Sequence, residues 1–375
     1  MSLPPHAPVV PPSSHEGLPA VRWGLLGAGH IARAGAQGIR DAAGCELVAV
    51  AARDRDRARA LAADVTGSGG SGDSRDSDGT GDAGAPGSGH GSSGGSAPRA
   101  YGSYEELLTD PDVEAVYINT THPWHHAQAL AVIAAGKHVL IEKAFTLNAA
   151  EATEVFEAAR AAGVFAMEGM WTRTLPLIRE VERIVGDGEI GDVVKVSADL
   201  TFVRDYDPEH RIYDLANGGG ALLDLGVYGC TIPWLFLGQP ETVHVMGSLA
   251  PSGVDHVVAM QWGYDSGATA QVYVTTRAPG PSRAVIVGTR GYVEIDPPFH
   301  GAASATVVRD GGEPERIERP HRRFAHEFEE AARCIRAGEL ESPLVPHADT
   351  IGILQILDAA RSELGVRYPQ ETARA

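Results

Sequence analysis

A short apolar run, Trp23-Gly24-Leu25-Leu26, leads into Gly27-Ala28-Gly29-His30-Ile31-Ala32, which reads G-x-G-x-x-A. Few folds need bare backbone at that spacing. Gly27 permits a tight turn out of a strand. Gly29 lets the backbone approach a pyrophosphate, and Ala32 lets the next helix pack close to the sheet. The start of that helix offers phosphates free N–H groups and the positive end of its dipole. Residues Cys45 to Ala52 form a second apolar run of the kind buried in a parallel sheet. The segment between the two suits a helix, so together they span about one βαβ unit. A glycine-rich turn alone is weak evidence, and it is the flanking strands that give this one weight.

The chain has 375 residues, room for two domains. Its net charge of -18 argues against nucleic acid or an anionic membrane as the main partner. An acidic protein can still hold a locally positive pocket for an anionic cofactor. Cys45, Cys230 and Cys334 are too few and too scattered for a disulfide framework or a zinc site. No metal is expected, and a reducing, cytoplasmic setting is. Residues 1–20 are Pro-rich, lack the features of a secretory signal, and are expected to be a disordered tail. No apolar run near 18 residues stands out, so no membrane span is expected.

Residues 67–98 contain 12 Gly and 8 Ser and no Val, Ile, Leu, Met or aromatic residue. Such a segment cannot bury enough surface to offset its ordering entropy, and it reads as a flexible insertion within one domain. After it, Val113–Asn119, His138–Lys143 and Val164–Glu168 read as strands. Thr121–Ala135 and Ala149–Ala162 read as helices closed by Gly136 and Gly163. This alternation predicts an α/β fold with a doubly wound parallel sheet, a Rossmann domain over residues 21–145. Residues 146–368 differ. Leu175–Val185 suits a helix. Period-two segments at 193–202, 243–249, 257–264, 269–276, 284–287 and 292–295 predict an open, mainly antiparallel sheet in a second α/β domain. Helices at 323–338 and 348–365 close the chain and are expected to pack back on the first domain.

Lys143 ends a predicted sheet strand, where ligands bind in doubly wound folds. It suits a proton path beside a nicotinamide, and equally a solvated strand end. Asp224 and Tyr228 follow three glycines and are spaced i, i+4, on one face if the segment is helical. They could orient a hydroxyl and relay its proton, or be a paired carboxylate and a core tyrosine. At the end of the second strand stand Ala52 and Arg53, where a site for NAD usually carries an acid. Arg53, with Arg57 one turn on, favours the 2′-phosphate of NADP. Asp54 turning toward the ribose would let NAD bind as well.

These motifs, together with Ala135-Gly136-Lys137-His138-Val139-Leu140-Ile141-Glu142-Lys143, Met167-Glu168-Gly169-Met170-Trp171-Thr172-Arg173 and Gly219-Gly220-Ala221-Leu222-Leu223-Asp224-Leu225-Gly226-Val227-Tyr228, resemble the glucose-fructose oxidoreductase / inositol dehydrogenase / MocA family. Within it the likeness is greatest to dimeric dihydrodiol dehydrogenases, over about residues 21–368. The resemblance implies an NAD(P)-dependent oxidoreductase that moves hydride between the nicotinamide and a secondary alcohol or ketone of a sugar, cyclitol or trans-dihydrodiol. It implies that Lys143, Tyr228 and Asp224 are catalytic, and that Trp171 and Arg173 line the substrate pocket with Asp224 and Tyr228. The candidate cofactor contacts are Gly27, Gly29, His30, Ile31, Arg53, Arg57, Thr120, His125, Glu142 and Lys143. A homodimer or higher homo-oligomer through the open sheet is also implied. In one respect the chain departs from the pattern. Ala144 stands where the family motif has proline, which leaves the geometry of Lys143 open. Two other readings fit the resemblance: a glycoside hydrolase with tightly held NAD, and a cofactor-binding regulator without catalysis.

Overall fold

The computed structural model describes residues 18–65 and 97–372. The expected disordered tail at 1–20 and insertion at 67–98 lie almost wholly outside the described residues. Six strands form the first sheet: β1 (Val21–Leu26), β2 (Cys45–Ala51), β3 (Arg99–Tyr101), β4 (Ala115–Ile118), β5 (His138–Glu142) and β6 (Ala166–Gly169). Their order is β3-β2-β1-β4-β5-β6, and every neighbouring pair is parallel. This is the doubly wound Rossmann arrangement, whose strand order reverses beside β1. The layer begun at residue 21 runs past residue 145, because β6 hydrogen-bonds to β5.

The helices between strands follow from local chemistry. Helix α1 (His30–Asp41) presents the small residues Ala32, Gly35, Ala36 and Gly38 to its buried side, so it lies close on the sheet. Helix α2 (Arg55–Asp64) is capped by the Asp54 carboxylate, which accepts from the Asp56 N–H at 2.8 Å. A short helix α3 (Tyr104–Leu108) follows, then α4 (His122–Ala134) with proline in its first turn. Helix α5 (Ala149–Ala162) is capped by Asn148 and ended by Gly163 in the left-handed conformation.

The second half begins with α6 (Pro176–Gly186) and builds an eight-stranded sheet. Its strands are β7 (Val193–Thr201), β8 (Thr242–Leu249), β9 (Asp255–Gly263), β10 (Thr269–Thr275), β11 (Ala284–Gly288), β12 (Gly291–Ile295), β13 (Ser304–Arg309) and β14 (Glu315–Glu318). The order is β14-β13-β12-β11-β7-β10-β9-β8. All pairs are antiparallel except β7 with β10, which the long connection through α7 (Val227–Leu237) makes parallel. Period-two patterning located β7 to β12. It missed β13 and β14, which are short and carry mixed polar residues.

Two long helices close the chain, α8 (Ala325–Ala337) and α9 (His347–Leu364), before the short α10 (Pro369–Thr372). Helix α8 returns to the first sheet. Its Phe328 meets Trp23 edge-on at 5.2 Å and Tyr117 at 5.1 Å, so the last part of the chain shares the core of the first. One sequence expectation needs correction. The helical stretch Leu215–Leu237 is long and apolar enough to span a membrane, with a mean hydropathy of 1.4, but 83% of that window is buried inside the fold. Its apolarity is that of a core helix packed on the second sheet and α9.

Candidate functional site

The carboxyl ends of β1, β2, β4 and β5 open on one cleft of about 1720 Å³. At its near end the chain leaves β1 through Gly27, whose φ of +110° suits glycine, and whose missing Cβ would lie 2.7 Å from Asn119 Oδ1. Gly29 has open space where a Cβ would be. Helix α1 then begins with no side-chain cap and no acid in its first turn. Its first residues, His30 and Ile31, line the cleft at the end where a helix has free N–H groups. Beside them the amide nitrogen and oxygen of Asn119 are buried without hydrogen-bond partners among the described residues. Orphaned polar groups facing bare backbone and an uncapped helix start are what a bound nucleotide would satisfy, so these residues fit an NAD(P) cofactor.

Along the same wall lie Arg53 and Arg57. Arg57 reaches back to the Ala28 carbonyl at 2.9 Å. Arg53 has no ion pair or hydrogen bond among the described residues. Asp54 also borders the cleft, but its carboxylate is engaged as the α2 cap. Thr120 lines the wall after β4, with its hydroxyl donating to Gln128 at 2.7 Å.

At the deep end the chemistry-bearing groups converge. Lys143, at the end of β5, donates to the Asp224 carbonyl at 2.8 Å and to its Oδ1 at 3.3 Å. The same Nζ lies 4.7 Å from the centre of the Tyr228 ring. The Lys143–Ala144 peptide is cis with alanine in the second position. Asp224 sits in a π-helical turn, Leu222–Gly226, from which α7 continues, so Asp224 and Tyr228 are not on an ordinary α-helical face. Tyr228 accepts a hydrogen bond from Trp171 Nε1 at 2.8 Å, which leaves its own proton for another partner.

Electrostatics divide these groups. Burial works to raise the Asp224 carboxyl, but the charges of Arg211 and Lys143 outweigh it and hold it well below the usual carboxylate range. Burial, with the Glu142 carboxylate nearby, pushes the Tyr228 phenol well above its ordinary value. Glu142 borders the cleft, accepts a hydrogen bond from the Tyr117 hydroxyl, and is raised by burial. Burial and the neighbouring His125 push His122 down to about 3, so it is neutral as it bonds to the Gly218 carbonyl.

Two candidates from the sequence do not reach the cleft. His125 is fully buried behind its wall. Its Nδ1 faces the carbonyls of Ala144 and Phe145 at 3.1 and 3.2 Å, and its Nε2 faces that of Thr120 at 3.0 Å. It ties the segment after β4 to the one after Lys143, and so positions both. Arg173 is likewise buried, because its guanidinium turns away to pair with Asp349 at 2.7 Å. The structure adds residues that the sequence reading missed. Arg211, 3.4 Å from Asp224, and His300, beside Tyr228, both line the deep end. Neither belongs to a recognisable motif. Arg211 lies 13 residues before Asp224, and nothing in the sequence marks the contact between them.

Residues 21–170 match the oxidoreductase family with an NAD-binding Rossmann fold, and residues 178–294 match the GFO/IDH/MocA C-terminal domain. The chain is 34% identical to trans-1,2-dihydrobenzene-1,2-diol dehydrogenase of Bos taurus over 73% of its own length and 84% of that protein. It is 35% identical to the Danio rerio enzyme of the same name, over 74% and 85%. Among solved structures, aldose-aldose oxidoreductase from Caulobacter crescentus superposes with a TM-score of 0.76 at 24% identity, covering 92% of this chain and 98% of that one. A 3-ketoreductase from Actinomadura kijaniata, crystallised with NADP and TDP-benzene, gives 0.73 at 24%, covering 92% and 97%.

Proposed function

The chain belongs to the Gfo/Idh/MocA family of NAD(P)-dependent oxidoreductases, and we propose that within it this enzyme prefers NADP and interconverts a secondary alcohol and its ketone on a cyclic diol, cyclitol or sugar. One observation carries the reading. Lys143, Asp224 and Tyr228 meet at the deep end of the cleft whose near end is the uncapped start of α1. Bound there, the nicotinamide would supply the hydride acceptor or donor.

The protein's own residues handle the proton and the orientation. Tyr228, with Trp171 donating to its oxygen, directs its O–H at the substrate oxygen and gives or takes the proton as hydride moves. The positive charge of Lys143 over the ring stabilises the negative charge left when Tyr228 gives its proton up. Asp224 stays ionised and accepts from a substrate hydroxyl. The buried Trp171 and Tyr228 keep water from the reacting carbon.

NADP reduction, followed by absorbance across aldoses, inositols and cyclic trans-diols with NAD run alongside, tests this reading. Turnover with a member of the panel supports it, and none with any member counts against it. The NADP preference has its own test. Arg53→Ala is expected to weaken NADP roughly tenfold to a hundredfold, as loss of a charge-assisted phosphate contact does, and to change NAD by less than about threefold. Equal losses for the two would remove the argument from the 2′-phosphate.

The three cysteines are free, in keeping with a reducing compartment such as the cytoplasm. The second sheet exposes Met246, Leu249, Val194 and Tyr292, and we assign self-association to it. Sedimentation of the protein as a monomer at micromolar concentration would oppose that assignment.

A further inference from the structure

Asp255 is the first residue of β9, is fully buried, and belongs to none of the motifs that pointed to the site. A carboxyl group withdrawn from water needs hydrogen bonds in return. Its Oδ2 accepts from the Leu222 backbone N–H at 2.6 Å. Leu222 opens the π-helical turn that carries Asp224. The first N–H groups of a helical segment have no partner within it, so this carboxylate does for the turn what a cap does for a helix. The ionisable groups facing Asp255 are Arg361 of α9 and Tyr368. Arg361 is itself paired with Asp358 at 2.6 Å and Glu371 at 3.0 Å.

The chain before the turn is shaped to this contact. Gly220 has a φ of +126°, and a Cβ there would collide with Asp255 Oδ1. A Cβ on Gly219 would lie 2.7 Å from the carbonyl oxygens of Arg211 and Ile212. Two of the three glycines before Asp224 therefore let the chain pass close to a buried carboxylate and to the backbone at 211 and 212. The Tyr368 hydroxyl donates to the Gly219 carbonyl at 2.8 Å and holds the same entry. Burial pushes the Asp255 carboxyl up to about 6, against the Leu222 N–H, which favours the charged form, so it is ionised at neutral pH.

What this holds in place is Asp224. Lys143 reaches its carbonyl at 2.8 Å and its Oδ1 at 3.3 Å, so a turn that slips moves both contacts together. We propose that Asp255 is a positioning residue for the reaction, which fixes the π-helical turn through the Leu222 N–H so that Asp224 meets Lys143 and the substrate. The proposal rests on reading Asp224 as catalytic. Asp255 is not among the residues that line the cleft, so it acts through the turn alone.

The test compares Asp255→Ala with Asp255→Asn in the full-length enzyme. Crystal structures read the position directly. In Asp255→Ala the Lys143 Nζ to Asp224 carbonyl distance is expected to grow beyond hydrogen-bond reach, about 3.5 Å, and in Asp255→Asn, which keeps an acceptor for Leu222, to stay within it. With NADP and the panel substrate that turns over, kcat should fall about 100-fold in Asp255→Ala, as a displacement of about 1 Å can cause, and less than about tenfold in Asp255→Asn. NADP affinity should change by less than about threefold in both, since the nucleotide cradle is untouched. In an Asp224→Ala background, Asp255→Ala should cost less than about threefold more, because the group it acts through is already gone. Damage to the fold would lower the rate in both backgrounds. Should Asp255→Ala not fold, Gly220→Ala, whose methyl pushes the carboxylate aside, replaces it in each comparison. An unmoved Asp224 overturns the proposal even where no panel member turns over. So does an asparagine variant as slow as the alanine one, or a full loss in the Asp224→Ala background, and each leaves the dehydrogenase reading intact. A normal kcat in Asp224→Ala alone removes the catalytic reading beneath the proposal.

Discussion

Tyr228→Phe is expected to lower kcat by about 10²- to 10⁴-fold, the range for a positioned acid or base, while NADP binding changes by less than about threefold. The substitution removes one oxygen and keeps the ring, so the packing against His300 and beneath Lys143 Nζ survives. It also leaves Trp171 Nε1 without the acceptor it now has at 2.8 Å. That loss destabilises the site by about 1–3 kcal/mol, too little to unfold a core of this size. The nucleotide cradle at Gly27, Gly29 and Asn119 lies at the other end of the cleft and is untouched. The measurement is steady-state turnover on the substrate found in the panel, with NADP affinity from fluorescence titration. A fall in kcat with intact cofactor binding is the expected result. A variant within about threefold of wild type in kcat would remove Tyr228 from proton transfer.

The parts of this molecule that were legible in the sequence are those set by neighbouring residues. The turn at Gly27, the strand before it and the small face of α1 all answer to local rules of backbone and period. Lys143 was legible because it ends a strand of the sheet. What was not legible depends on chain segments far apart. Arg173 looked like a pocket residue until its partner Asp349, 176 residues on, turned it away. His125 sits one turn into α4, yet what it holds are carbonyls at residues 120, 144 and 145. His300 reaches Tyr228 only because β11 to β13 fold its loop over the deep end of the cleft. The parallel pairing of β7 with β10 likewise has no mark in either strand, since each alternates as an antiparallel strand would. The π-helical turn at Asp224 could not be read from apolar periodicity, which continues unbroken through Leu222, Leu225 and Val227.

Lys143→Met tests whether lysine and tyrosine act as one unit. Methionine has similar length and fills the same space over the Tyr228 ring, so the fold is expected to hold. What goes is the donor at 2.8 Å from the Asp224 carbonyl, the 3.3 Å contact to its carboxylate, and the cation 4.7 Å from the tyrosine ring. Asp224 then keeps Arg211 at 3.4 Å as its close cation, so its carboxyl is expected to rise back toward the ordinary range. Turnover is expected to fall by about 10³-fold, within the span of general acid–base effects, with NADP affinity changed by less than about threefold. If Lys143 acts through Tyr228, the double variant with Tyr228→Phe should be about as slow as the worse single one, because removing one member of a unit already disables it. Losses that multiply would show two independent contributions and would separate the lysine from the tyrosine's proton. A single Lys143→Met variant with near-normal kcat would dismiss the lysine from the chemistry altogether and leave it as the group that holds Asp224 in its buried turn.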